Sequence, residues 1–132
     1  MRNAFDRTKE AFAFEKAIEA FDCPSCNAKG IRQIPLRNFG HIDAVCLACG
    51  AGISVKYHAI PQHSDTYRAP PASASAYDGV RKLWGDERLF VLTGNNREYA
   101  VYSYVGHETT DIKPRRGEAF GRKVLKFTHR VK

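Results

Sequence analysis

Four cysteines stand in two close pairs, Cys23 with Cys26 and Cys46 with Cys49, in the pattern C-x2-C-x19-C-x2-C. A CxxC knuckle can turn both thiolates toward one ion, and two knuckles at this separation fall in the range of a zinc ribbon. The competing use is a pair of disulfides, but a CxxC pair bridged to itself belongs to redox sites rather than to structural staples. Zinc is therefore the expected occupant. Its role would be structural, since four thiolates leave no open coordination position. A second set of groups is threaded through the first. Asp43 lies three residues before Cys46, and Ser54-Val55-Lys56 follows Cys49, so a carboxylate and an amine flank the second knuckle.

The elements that must position these groups are legible from hydrophobic period. Residues 5–21 are expected to form a helix, with Phe14, Ala17, Ile18 and Phe21 on one stripe. Glu15 and Glu19, four apart, share a face beside that stripe. A short strand is expected over Ile31–Leu36, leading into a loop at Asn38-Phe39-Gly40. His41–Cys46 and Ile53–His58 both alternate as strands do. His41, Asp43 and Val45 take one side of the first strand, and Ser54, Lys56 and His58 share a side of the second. Asp43 and Lys56 can thus meet across a hairpin whose tip the metal clamps.

Residues 59–76 read as a long loop with three prolines. A helix interrupted at Gly79 is expected over Ala74–Trp84. Strands follow at Arg88–Thr93 and Glu98–Val105, joined by a Gly94-Asn95-Asn96 turn, with a last strand around Lys123–Thr128. This order predicts an α/β or α+β domain with a mixed sheet.

At 132 residues, with 43% hydrophobic and 27% charged side chains, one globular unit is expected, with the zinc site at 23–49 and a basic segment at 111–132. No apolar run approaches the length of a membrane span, and the first residues lack the apolar core of a secretory signal, so a cytoplasmic protein is expected. The net charge is +7, and +6 of it falls from Asp111 onward, where eight Lys and Arg face two acids. That excess fits a polyanionic partner, because neutralised phosphates release counterions. The candidate contacts are Arg115, Arg116, Arg122 and Lys123, with Arg68 and Tyr67 from the long loop and His58 from the Lys56 face. His41, His63, His107 and His129 have no spacing that favours a metal.

The spacing D-x10-S-x-K over Asp43, Ser54 and Lys56, with a CxxC lodged inside it, resembles the PD-(D/E)XK nuclease superfamily. More narrowly it is similar to the zinc-bearing, methyl-directed restriction endonucleases that cut GATC sites. In that branch one CxxC precedes the aspartate and a second follows it by three residues. The likeness runs over about residues 15–105, more weakly through AYDGVRKLW and RLFVLT, and nothing in the chain corresponds to the extra DNA-recognition domain of longer relatives.

The resemblance implies a restriction-endonuclease-like mixed central sheet flanked by helices, double-stranded DNA as partner, and Mg²⁺ or Mn²⁺ as catalytic cofactor beside structural zinc. It implies that Asp43 and the Val55 carbonyl ligate the hard cation and that Lys56 orients the nucleophile or stabilises the transition state. Ser54 stands where the family usually has Glu or Asp. The missing acid would then come from the first helix, with Glu15 better placed than Glu19. A homodimer is expected, because two strands must be cut. Two other functions fit the same residues. One is a non-catalytic zinc ribbon that binds nucleic acid, and the other is a metal-stapled subunit docking on a larger complex through its tyrosine-rich strands.

Overall fold

The computed structural model of the chain describes residues 4–34, 41–59 and 64–132. The expected loop at Asn38-Phe39-Gly40, the end of the Ile31–Leu36 strand, and His63 lie outside them. The architecture is α+β with a mixed six-stranded sheet in the order β1-β2-β3-β6-β7-β10. Its strands are β1 Ile31–Gln33, β2 Ala44–Cys46, β3 Gly52–Tyr57, β6 Leu89–Gly94, β7 Tyr99–Ser103 and β10 His129–Arg130. Among the described residues only the β3 and β6 pair is parallel; its crossover carries α2 (Ala74–Leu83).

Alternation along the central strands builds two cores. Ile53, Val55, Phe90, Leu92 and Val101 face α1 (Ala4–Ala17), which covers them with Phe14 and, from the 3₁₀ turn that follows, Ile18. Their neighbours Leu89, Val91, Ala100 and Tyr102 face the other way, onto Tyr77 and Val80 of α2. The stripe expected for the first helix is thus the one that packs. Phe21 closes its end by stacking on Tyr99 with ring centroids 4.5 Å apart.

A second, smaller sheet lies over the α2 face. Here β9 (Arg122–Phe127) pairs along one edge with β8 (Glu108–Ile112) and along the other with β4 (Tyr67–Arg68) and β5 (Ala72–Ser73). Leu125 and Phe127 drive into the second core. The basic end of the chain is therefore folded into the body rather than hanging from it.

Three expectations change. The stretch read as loop over 59–76 contributes β4 and β5, split by Pro70 and Pro71, which lack the amides a continuous ladder needs. Gly79 does not interrupt α2, because it sits on the exposed side with nothing near its Cα. The strand expected from His41 begins only at Ala44, since the ladder ends at Asp43. There the Asp43 amide still donates to the Ile53 carbonyl at 3.0 Å, but its carboxylate replaces a backbone acceptor, taking the Val55 amide at 2.7 Å.

Candidate functional site

The two knuckles are built alike. In each, the residue four after the first cysteine, Asn27 or Gly50, has positive φ (63° and 81°), a region that asparagine and glycine tolerate best. Its amide donates to the carbonyl of that cysteine (Asn27 to Cys23 at 2.9 Å, Gly50 to Cys46 at 2.7 Å). The cysteine amide then donates to the residue five on, Ala28 or Ala51, at 2.9 Å in both. The sequence signal for this duplication was C-x-x-C-N/G-A.

The four sulfurs lie within 4.8 Å of one another. Cys23 and Cys49 are 3.7 Å apart, and Cys26 and Cys46 are 3.8 Å apart. A tetrahedron with zinc–sulfur arms of ~2.3 Å has edges of about 3.8 Å, so the cluster can hold a metal ion such as zinc. Burial pushes the Cys23 thiol up to about 12. Burial also opposes ionisation of Cys46, but the amides of Cys49 and Ala48 and the neighbouring thiols outweigh it and bring that group down to about 7.

At the other, open end of the β2–β3 hairpin a polar cluster forms. Asp43 continues the register one residue beyond Ala44 and Ile53, which sets it opposite Ser54. Lys56, two residues further along β3, shares that face. Glu15 reaches the same place from α1: its carboxyl hydrogen-bonds that of Asp43 and feels the charge of Lys56. Burial first, then the Asp43 charge, pushes Glu15 from 4.5 up to about 7, against the pull of Lys56. Glu19, the other acid considered, is occupied elsewhere: it accepts the Gln33 amide at 2.9 Å and pairs with Lys16 at 3.0 Å. Ser54 is fully buried, and its Oγ is the one buried side-chain polar atom among the described residues without a hydrogen-bond partner. Val55 gives its amide to Asp43, and strand geometry points its carbonyl toward the same edge.

Two histidines enclose the cluster. His41 is buried with its Nε2 on the Tyr104 hydroxyl, and burial, followed by the charges of Lys56 and His107, brings it down to about 4. His58 is shifted downward by burial and then by Lys56, and its Nε2 meets the Tyr67 hydroxyl at 2.9 Å. Neither His41 nor His107, whose spacing favoured no metal, faces solvent. His107 meets the Tyr77 hydroxyl through Nε2 and has a side chain only 4% exposed. Alternation already placed His41 on the Asp43 side; its closure under Tyr104, 63 residues on, had no local signal.

The remaining candidates separate. On the outer face of the small sheet, Arg68 sits beside Lys126, and Arg122 lies four residues earlier on the same strand. Arg115 and Arg116 are exposed in the loop between β8 and β9. Lys123 is already engaged by Asp111 at 2.6 Å and lies over the Tyr77 ring. Tyr102 and Tyr104 are wholly buried, and Tyr99 is stacked on Phe21.

No protein-family model matches the chain, and no curated protein matches it. Among the described residues, no helix is long and apolar enough to cross a membrane.

The juxtaposed carboxyls carry a stability consequence. Between about pH 4.5 and 7 the unfolded chain has released the Glu15 proton while the folded chain keeps it. Stability without a divalent cation therefore falls as pH rises through that window. Glu15→Gln removes the repulsion, so its Tm is expected to exceed wild type at about pH 8 and to match it at about pH 4. Thermal melts at both values check this; a variant no more stable than wild type at the higher pH contradicts it.

Proposed function

We propose that the chain is a metal-dependent nuclease of the PD-(D/E)XK kind, acting on DNA, with zinc in the four-thiolate cluster as a structural clamp. The observation that carries the reading is the meeting of the Glu15 and Asp43 carboxyls within reach of the Lys56 charge, at the hairpin end where Asp43 stands opposite the buried, unpartnered Ser54. Two carboxyls forced together beside an orphaned oxygen form a hard-oxygen donor set suited to Mg²⁺ or Mn²⁺. A mixed sheet with a helix on each face is also what the family likeness leads one to expect.

Glu15 and Asp43 would hold the cation together with the Val55 carbonyl. When bound, such a cation polarises the phosphoryl oxygen and lowers the pKa of an attacking water. Ser54 adds a hydroxyl rather than the usual carboxylate, and Glu15 supplies the second negative charge that this position lacks. Lys56 presents its ammonium to the charge that grows on the phosphate oxygens or to the incoming water. His41, held neutral and tied to Tyr104, adds no competing positive charge behind Lys56. On the outer face of the small sheet, Arg122, Lys126 and Arg68 would give the phosphodiester backbone a positive track.

The test is incubation with supercoiled plasmid and with duplex, single-stranded and branched oligonucleotides, with and without Mg²⁺ or Mn²⁺. Cation-dependent cutting is the expected result. Nicked plasmid would mark one strand cut per encounter, and linear plasmid the homodimer in which two sites act together. The basic stripe also favours a second reading, a nucleic-acid-binding ribbon without cleavage. It is distinguished by salt-sensitive binding with no cutting under any cation.

A further inference from the structure

The segment joining β8 to β9, KPRRGEAFG over residues 113–121, takes no part in the polar cluster. Its residues 113–120 are all exposed, and they carry Lys113, Arg115 and Arg116 against a single acid, with Arg122 immediately beyond. That acid does not neutralise the arginines in a salt bridge. Glu118 Oε1 accepts the Arg115 amide at 3.1 Å, and the Glu118 amide donates to the Arg115 carbonyl at 2.9 Å. Gly117, at φ 91°, lets the turn close. The base is anchored as well: the Ala74 amide donates to the Gly121 carbonyl at 3.1 Å, and a Cβ at Gly121 would come within 2.6 Å of the Ile112 carbonyl. The loop is thus a built turn that holds its cations outward.

At its end Phe120 is 63% exposed and borders a cleft of about 380 Å³ lined with Ser73, Glu118, Ala119, Gly121 and Arg122. A single exposed phenylalanine is ordinary. One set at a cleft that Arg122 also lines, on the loop that carries Arg115 and Arg116, meets a narrower partner class. The cations ask for repeated negative charge, and the ring and cleft ask for a flat apolar group between those charges. An unstacked base of a nucleic-acid strand, with its flanking phosphates, supplies both.

We propose that the β8–β9 loop is a strand-gripping arm, in which Phe120 stacks on an unpaired base while Arg115, Arg116 and Arg122 hold the neighbouring phosphates. This rests on the nucleic-acid reading of the chain but is independent of whether the polar cluster cuts. Such an arm would direct the protein to frayed, branched or single-stranded positions rather than to uninterrupted duplex.

The test is fluorescence anisotropy of the full chain with a labelled single-stranded oligonucleotide and with the paired duplex of the same sequence. Salt is varied and no divalent cation is added, so cleavage plays no part. Phe120→Ala and Phe120→Leu, changes at an exposed side chain, are expected to weaken single-strand binding about tenfold. Duplex binding and the dependence of log affinity on log salt should stay as in wild type. The double change Arg115→Gln and Arg116→Gln should instead flatten that dependence by about 1.4 for single strands. Wild-type binding that both Phe120 variants reproduce within about twofold overturns the arm alone. A wild-type protein that binds neither oligonucleotide at low salt overturns the arm and the nucleic-acid reading together.

Discussion

Asp43→Asn is expected to reduce Mg²⁺-supported DNA cleavage by about 10³-fold or more, and Lys56→Met by about 10²–10³-fold, through different losses. Asp43 offers a charged oxygen to the cation and also accepts the Val55 amide at 2.7 Å. An asparagine can keep that hydrogen bond through its side-chain oxygen but loses the negative charge. The variant should therefore fold and need far more Mg²⁺ for half-maximal rate. Lys56 has no ligand role in this scheme. Its removal should leave the Mg²⁺ dependence near wild type and depress the rate at saturation. Measuring cleavage rate against Mg²⁺ concentration for both variants separates the two. Identical curves for wild type and Lys56→Met would take the ammonium out of the chemistry.

Loss of the thiolate-bound metal is expected to have the largest effect on stability. Cys23 and Cys46 are not surface appendages; they belong to the same buried cluster as Phe14, Ile18, Ile31 and Ile53. A structural zinc is worth on the order of 10 kcal/mol in small metal-folded units, comparable to the whole net stability of an ordinary domain. Here the second core, under α2 and the small sheet, is independent of the thiols and should keep part of the structure. A loss of about 5 kcal/mol at about 4 °C per kcal/mol would lower Tm by about 20 °C. Because the hairpin carries Asp43 and Lys56 at its far end, Cys46→Ser or strong chelation should also abolish any stabilisation by Mg²⁺. Melts followed by circular dichroism, with bound zinc counted by mass spectrometry, check both. A Cys46→Ser protein with unchanged Tm would mean the cluster does not clamp the fold.

The parts of the site that the sequence announced are those set by local period. The stripe Phe14 to Phe21 fixed one face of α1 and so carried Glu15 toward the sheet. Alternation in β3 placed Ser54 and Lys56 together, and the CxxC spacing drew the knuckles to one point. What remained hidden depended on distant segments. Tyr67 and Arg68 look like loop because Pro70 and Pro71 follow, and only pairing with β9 makes them strand. Glu108–Ile112 carries polar and charged side chains on both faces, as an exposed edge strand can, so no alternation of apolar residues marked it. Ser54 appeared as a departure from a family pattern, and its full burial without a partner came from packing against strands more than 30 residues away. Lys123 looked available to phosphate by composition, whereas Asp111, its register partner, holds it.

In the reading proposed above, the two carboxyls at the open end of the β2–β3 hairpin hold a hard divalent cation against a phosphodiester. Anomalous diffraction from crystals soaked in Mn²⁺ tests it most directly. A peak between Glu15, Asp43 and the Val55 carbonyl, separate from the metal in the thiolate cluster and missing in Asp43→Asn crystals, is the predicted result. A map in which the thiolate cluster is filled while that position stays empty at saturating Mn²⁺ would contradict it.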